Sequence, residues 1–479
     1  MKKKLCALAL ALVTAFACTP FTACGKKEDT SHTIYFYHTM GSELRDVLDI
    51  YVKEFESMYP GWKIKATQEG DYDGVRDKIT SALNVGNQPD MAYCYPDHVA
   101  AYNLAKAVRT LDDFIDSTEQ TTYTFTNDDG TTETKTDIVG LTQAQKDDFV
   151  PGYYEEGRQF GDGKMYTMPF SKSTEVLFYN KTFFKDNNIQ VPTTWDEMEA
   201  VCQKIKDLDK GDKKTYIPLG YDSEANWFIT MTEQLNTPYT SATKPYYLFD
   251  NDANKAFVKK FANWYANGYV TTKALNSDKY TSYLFTETKK GEMRSFMSIG
   301  STAGAKKQRP TRVDNKYPFE VGITTIPQMD KSNPKVISQG PSVCIFKNRK
   351  NPEKEKMAWL FLKYLTTSAD FQVEFALASG YIPVLKSAAD HPVYAQKFAE
   401  LEQAIAKGNG NDYIEILSAK VCMEQANAYY TSPAFGGSSK ARDEVGKLMQ
   451  KLLISKDIDS DIDKAFKDAV YNCEINYNK

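Results

Sequence analysis

The sequence predicts an α/β protein of two or more lobes, on two observations. Apolar, β-prone runs alternate with helical stretches along the first hundred residues, and a chain of 479 residues exceeds what one ordinary core organises. Residues 33–37 read as a strand and 43–58 as a helix. The turn Tyr59-Pro60-Gly61 leads into a strand over 62–67, a helix over 72–83, a strand over 90–93 and a helical segment over 99–107. Strand, helix, strand, helix, strand is the order of a parallel sheet with right-handed crossovers. Residues 121–136 break the pattern. Their Thr-rich arms flank Asn127-Asp128-Asp129-Gly130 and predict a polar surface hairpin, within an inserted region spanning 117–148.

The N-terminus predicts export. Lys2, Lys3 and Lys4 precede a short apolar run over 5–16, and Thr22, Ala23 and Gly25 put small residues around Cys24. The run is too short to span a bilayer as a helix, so residues 1–23 read as a cleaved leader. Cysteine at the cleavage point, followed by a polar tether over 24–32, resembles a bacterial lipoprotein signal with Cys24 lipidated, although Phe21 departs from the usual Leu. Cleavage at Cys18, or secretion without lipid, are the alternatives. The expected place of work is the outer face of the cytoplasmic membrane.

Composition narrows the function further. Fifty-nine Lys and Arg stand against 63 Asp and Glu, and loss of a leader with three lysines makes the balance more acidic, which disfavours a nucleic-acid partner. Besides Cys24, the cysteines after the leader are Cys94, Cys202, Cys344, Cys422 and Cys473. An odd set without close spacing is not a disulfide framework, and with His32, His38, His98 and His391 equally scattered no metal or cofactor is expected.

Three segments in the middle of the chain carry the most information: Gly163-Lys164-Met165-Tyr166-Thr167-Met168-Pro169, Val176-Leu177-Phe178-Tyr179-Asn180-Lys181, and Pro192-Thr193-Thr194-Trp195-Asp196-Glu197. Locally they read as a strand followed by a helix that Thr194 caps, with Glu197 at its third position. Together they resemble the central signature of family 1 extracellular solute-binding proteins, the ligand-capturing subunits of ABC importers, most often for sugars. The resemblance extends through 55–62 and 86–91, through Phe285, Gly291-Glu292-Met293 and 296–300, and through Gln339-Gly340-Pro341-Ser342, 356–365 and Gly380-Tyr381-Ile382-Pro383-Val384.

The resemblance implies a two-lobe, type II periplasmic-binding-protein-like fold, each lobe a mixed sheet flanked by helices, with a cleft that closes on ligand. Crossings between lobes are expected near 170–176, 296–300 and 338–342. That assigns 33–170 with 298–338 to an N-terminal lobe, 171–297 with 339–435 to a C-terminal lobe, and 436–479 to closing helices with a structural role. The implied partners are a carbohydrate ligand and two permease subunits, with a monomeric protein held to the membrane by its lipid.

Sugar capture needs flat rings for the C–H faces of a pyranose and planar polar groups for its hydroxyls. Candidates lie on loops after strands. In the first half these are His38 and Glu43, then Glu69 and Asp71, then Tyr95, Asp97 and His98. Expected on the second lobe are Ser171, Ser173, Asn226, Trp227, Gln339, Tyr381 and Phe435, with Trp227 the expected stacking platform. Ser301 and Thr302 stand where many sugar-binding relatives carry a tryptophan, which puts a stacking contact there in doubt. Rival readings are a secreted glycosidase with paired carboxylates, and a bilobal sensor accessory for another solute. No Gly-x-Ser-x-Gly elbow or phosphate loop is present in the sequence.

Overall fold

The computed structural model describes residues 30–477 apart from Asp128, Asp212 and Lys213; the leader, Cys18 and Cys24 lie outside the described residues. In chain order the strands are β1 (Thr33–His38), β2 (Lys63–Gln68), β3 (Met91–Cys94), β4 (Gln120–Thr126), β5 (Thr132–Ile138), β6 (Met168–Pro169), β7 (Ser173–Asn180), β8 (Leu219–Tyr221), β9 (Val270–Thr272), β10 (Met297–Ser301), β11 (Val321–Thr324), β12 (Val336–Gln339), β13 (Ser342–Ile345) and β14 (Tyr429–Tyr430). They form two mixed sheets and a hairpin. One sheet runs β2-β1-β3-β13-β6, the other β14-β12-β7-β10-β8-β9 with β11 also on β7, and β4 pairs only with β5.

The first sheet follows from the alternation read in the sequence. β1 buries Ile34, Phe36 and His38 and leaves the intervening residues half-buried, and it pairs in parallel with both β2 and β3. Helix Ser42–Met58 buries Leu48, Tyr51, Val52 and Phe55, a three-to-four-residue spacing that presents one stripe to the core. Helix Tyr72–Val85 starts where the Asp71 side chain accepts from the Gly74 amide and stops at left-handed Gly86. The polar hairpin forms as β4 and β5, in register from Gln120↔Ile138 to Thr126↔Thr132.

Each sheet has its own core. Phe36, Phe55, Trp359, Phe361 and Phe371 belong to the first, and Trp195, Trp227, Phe228, Phe261 and Phe466 to the second. Helices Pro352–Thr367 and Ala369–Ser379 complete the first lobe, whereas Ser438–Leu453 and Ile458–Tyr477 pack on the second through helices Glu224–Gln234 and Asp252–Ala266.

Sheet membership corrects the expected lobe boundaries. Residues 296–300 are not a crossing. They belong to β10, inside the second sheet between β7 and β8, with Met297 and Ile299 fully buried in that lobe's core. Gly300, which read as a point of redirection, instead admits the Asp222 carboxylate, 3.2 Å from where a Cβ would stand. β10, β11 and β12 therefore keep 298–338 in the second lobe, and β13 with its two following helices returns the chain to the first. The chain passes between lobes over residues 170–172, from β6 to β7, over 340–341, from β12 to β13, and a third time between helix Ala369–Ser379 and β14. Gly340 sits at the second of these at φ +97, with a Cβ position 2.5 Å from the Ser171 carbonyl, so this crossing requires glycine.

Candidate functional site

The two lobes line a cavity of about 80 Å³ within a wider cleft that opens to solvent. Tyr95, Pro96, Asp97 and Glu156 line it from the first lobe, and Ile229, Tyr239, Thr240, Thr431, Ser432, Ser438 and Arg442 from the second. The crossing strand adds Ile337, Ser338, Gln339 and Gly340.

Tyr95 is the ring that lines the cavity from the first lobe, and further tyrosines back it. Tyr72, at the start of its helix, stacks on Tyr95 with centroids 4.1 Å apart and ring planes 24° apart, and lies over Tyr93 at 6.0 Å. Its hydroxyl meets that of Tyr381 at 3.3 Å, and the Tyr93 hydroxyl meets Ser171 Oγ at 3.4 Å. Burial lifts the Tyr72, Tyr93 and Tyr95 phenols far above their usual range, so this wall consists of neutral rings with hydroxyls available for hydrogen bonding.

The second-lobe wall is polar and organised around one cation. Arg442 Nη2 donates to Asn226 Oδ1 at 2.7 Å, Asn226 Nδ2 donates to Glu175 Oε1 at 2.9 Å, and the Tyr221 hydroxyl donates to Glu175 Oε2 at 2.5 Å. Burial disfavours the Arg442 cation, but Asp97 across the cavity, with Tyr239 and Tyr95 beside it, outweighs that and holds its pKa above the ordinary value. Burial also pushes the Glu175 carboxyl up to about 7, against the two hydrogen bonds it accepts. Three buried polar atoms of the cavity-lining residues, Tyr239 Oη, Thr240 Oγ1 and Ser432 Oγ, have no hydrogen-bond partner, which is unusual for buried polar atoms.

Behind the cavity, where the chain crosses, Lys172 Nζ pairs with the Glu156 carboxylate and lies 3.4 Å from both Gly340 O and Ser342 Oγ. Both charged side chains are almost wholly buried. Bridges also cross between lobes at the surface. Arg76 Nη1 donates to Ser439 Oγ at 3.1 Å and lies 3.7 Å from Asp443; Lys306 pairs with Glu43 at 2.6 Å; Thr431 donates to Gln159 at 2.6 Å.

Of the residues expected at the site, Tyr95, Asp97 and Gln339 line the cavity, and Asn226 holds Arg442 from behind. Tyr381 joins the tyrosine wall, on the first lobe and not the second as expected. Ser171 lies at the crossing under that wall. Ser173, Ser301 and Thr302 cluster at the start of β7, where Ser301 donates to Ser173 at 3.4 Å and Thr302 Oγ1 accepts from the Thr174 amide. Glu43 serves the interlobe bridge, and Glu69 pairs with Lys78 at the surface. His38 is fully buried, its Nδ1 accepting from the Met40 amide, and His98 is buried in its helix with its ring edge on Tyr95.

Trp227 and Phe435 are corrections. Trp227 is fully buried, stacked at 5.0 Å on Tyr221 and 4.2 Å from Phe261; a helix inserted between two layers buries residues on several faces, so polar neighbours did not mark it as exposed. Phe435 stacks on Tyr246 within the second core. Sequence reasoning missed Tyr239, Thr240, Ser432 and Arg442. For Arg442 a signal existed: Ser438 and Arg442, four apart, form a polar stripe beside the apolar stripe Ala441, Val445, Leu448 and Leu452. Helix Ser438–Leu453 therefore contributes to the cavity wall as well as to the core.

Among the described residues no cluster of His, Cys, Asp and Glu could hold a metal ion, and no helix is long and apolar enough to cross a membrane.

Residues 51–402 match a family model described as bacterial extracellular solute-binding protein. The sn-glycerol-3-phosphate-binding periplasmic protein UgpB of Escherichia coli K12 is 28% identical over 180 residues, covering 36% of this chain and 35% of that relative. The matched stretch thus spans about a third of the relative's length. Among solved structures, UgpB of Mycobacterium tuberculosis in complex with glycerophosphocholine superposes with a TM-score of 0.67 at 16% identity, over 92% of this chain and 98% of the other. The substrate-binding protein Lmo0181 of Listeria monocytogenes in complex with cycloalternan gives 0.67 at 16%, over 93% and 99%. The maltotriose-bound MalE domain of Bdellovibrio bacteriovorus gives 0.65 at 18%, over 93% and 100%. The two-lobe architecture is common to all three, and with most of its length matched by the family model the chain belongs to the bacterial extracellular solute-binding proteins.

Proposed function

We propose that this protein is the substrate-binding component of an ABC importer, capturing a sugar or oligosaccharide in the interlobe cavity by hinge closure and delivering it to two membrane permease subunits. The observation that carries this reading is the pairing of the Tyr95 ring, backed by Tyr72 and Tyr93, with a facing polar wall whose Tyr239, Thr240 and Ser432 hydroxyls lack partners among the described residues. Rings cover the C–H faces of a pyranose, and unpartnered hydroxyls match its alternating donors and acceptors. Tyr95, Asp97, Gln339, Tyr239, Thr240 and Arg442 are the proposed ligand contacts. Cys24 is the proposed lipid attachment, with the 24–32 tether holding the lobes clear of the membrane.

Hydrolysis is poorly served by this cavity. Of its two lining carboxylates, Glu156 is engaged by Lys172 and Ser342, which leaves Asp97 without a free partner for acid–base work. A second reading, a glycerophosphate-type ligand, draws support from the Arg442 cation and from the name of the Escherichia coli relative.

The test is thermal shift followed by calorimetric titration of the chain from residue 25, against mono- and oligosaccharides and sn-glycerol 3-phosphate. Binding of one glycan class, weakened by Tyr239→Phe, supports sugar capture. Binding of the phosphate alone, lost in Arg442→Lys, supports the second reading. Stabilisation by neither class would retire both.

A further inference from the structure

Glu175 occupies a position where the strand pattern calls for an apolar side chain. It is the third residue of β7, opposite Ser301 of β10, within a run of six buried residues that includes it, and 2% of its surface is exposed. No cation touches it directly among the described residues. Burying a carboxyl on such terms is expensive, so its presence asks for a purpose other than packing.

The hydrogen bonds supply one. Glu175 accepts from Asn226 Nδ2, which obliges the amide to turn Oδ1 toward the cavity, where it accepts from Arg442. The Tyr221 hydroxyl already donates to the other carboxyl oxygen. Tyr221 is kept a donor because its oxygen also bonds Thr230, which itself receives from Tyr430; a proton taken up by the carboxyl therefore goes to Oε1, and the Asn226 amide must rotate to accept it, presenting its NH₂ to the guanidinium. Two donors then face each other and Arg442 loses its hold.

We propose that Glu175 is a positioning residue for ligand capture: ionised, it fixes the Arg442 guanidinium in the cavity wall through Asn226, and protonated, it releases it. This rests on the reading of the interlobe cavity as the ligand site. The charged and titratable groups around the relay are few. Tyr221 and Asp222 come from β8 and its end, Tyr430 from β14, and Asp97 faces Arg442 across the cavity. On the segments packed against β7, Lys306 lies 3.7 Å from Glu415 and Lys420 pairs with Glu402; Lys307, Cys422 and Glu424 stand on the same segments, and Lys181, Lys185 and Asp186 on helix Lys181–Asp186, which also packs on β7. Of these, Asp222 opposes ionisation of Glu175 and Arg442 favours it. Because the carboxyl titrates at about 7, the relay switches within the range an extracellular protein meets.

The experiment follows the Arg442 Nε–Hε resonance of ¹⁵N-labelled, unliganded protein across about pH 5 to 9, assigned by its loss in Arg442→Lys. The expected result is a titrating shift in the native chain, absent in Glu175→Gln. Tyr221→Phe, which removes one donor to the carboxylate, moves the midpoint upward and keeps the test decisive should the Gln variant not fold. An Arg442 signal that does not titrate, or titrates equally in Glu175→Gln, overturns the proposal. In parallel, maltotriose and sn-glycerol 3-phosphate are titrated at both ends of that range. The one that binds is expected to gain about threefold or more in affinity toward the alkaline end beyond the gain shown by Glu175→Gln, the variant serving as reference because the phosphate of sn-glycerol 3-phosphate itself titrates in this range. An equal pH dependence in the native chain and in Glu175→Gln overturns the link to capture. If neither probe binds, the ligand reading fails while the Arg442 titration still decides the relay.

Discussion

Burial moves two titratable side chains in opposite directions. Burial, with the nearby Arg45 charge, lowers His38 to about 4, and burial raises Glu175 to about 7. For His38 the folded pKa lies below the unfolded value, so its neutral form contributes stability above about pH 6.5 that is lost as pH falls toward 4. For Glu175 the folded pKa lies above the unfolded value, so stability is highest below about pH 4.5 and declines as pH rises toward 7. Each shift corresponds to roughly 3 kcal/mol, and the two slopes oppose one another between about pH 4.5 and 6.5. The native chain is therefore expected to show a shallow dependence there. Urea unfolding of Glu175→Gln should expose a rise in stability with pH, and His38→Gln a fall; parallel profiles for the two variants would refute the assignment. A second residue-scale contrast separates packing from binding. Trp227→Ala empties a site among Tyr221, Trp195 and Phe261 and should cost about 3–5 kcal/mol in unfolding free energy, whereas Tyr239→Phe should weaken ligand binding and leave the urea midpoint within error. Sequence alone could not have separated these two rings. Both sit among polar neighbours, and only tertiary layering decides which one meets the cavity.

At the scale of elements the sequence is more explicit, because helix caps and strand alternation are local physics. Thr194 Oγ1 accepts from the Glu197 amide, and the Glu197 carboxylate accepts from the Thr194 amide, as the Thr-x-x-Glu spacing before an apolar run implied. Thr194→Ala is expected to cost about 1 kcal/mol, measured by chemical denaturation. A loss indistinguishable from zero would mean that the cap is redundant with packing of Trp195. The strands and helices of residues 33–94 were legible for the same reason, each resting on its own periodicity and turn residues, whereas the helix expected over 99–107 runs instead from Pro96 to Asn103, started by the proline in its first turn. The crossings were legible only in part. Pro341 beside Gly340 marked one, but β10 shows the same run of small and apolar residues while being a central strand, since a buried strand and a redirecting segment share composition. What distinguishes Gly340 is what its missing side chain makes room for. Gly340→Ala should lose on the order of 1–3 kcal/mol through strain at φ +97 and the approach of the Ser171 carbonyl. Gly86→Ala, also left-handed but with open space around it, is the control and should lose only about 1 kcal/mol. Equal losses would show that backbone conformation alone governs the crossing.

For the whole molecule, the interlobe bridge and the proposed ligand contact at Arg442 rest on the same pair of helices. Helix Tyr72–Val85 carries Tyr72, which backs the cavity ring Tyr95, and the bridging Arg76, and helix Ser438–Leu453 carries Arg442 together with Ser439 and Asp443. A motion that separates Arg76 from Asp443 therefore also parts the two cavity walls. Which stretches make up each lobe was the least legible level in the sequence. Lobe membership is decided by which sheet β10 to β13 join, and pairing partners that lie more than a hundred residues apart leave no local trace. The bridges themselves are weak individually. Exposed ion pairs contribute about 0.2–1 kcal/mol each, and Arg76 with its partners and Lys306 with Glu43 lie where salt screens them. Removing one should shift the open–closed balance only a few-fold, without touching the buried Lys172–Glu156 pair at the crossing or either core. Arg76→Ala is thus expected to lower ligand affinity by about two- to fivefold, to increase the radius of gyration of the unliganded protein in small-angle scattering, and to leave the thermal midpoint unchanged. Raising salt toward 1 M should bring the native chain to the affinity of the variant while leaving the variant itself nearly unaffected. Should both respond equally to salt, the Arg76 bridge plays no part in closure, and the polar contacts of the cavity alone hold the lobes together.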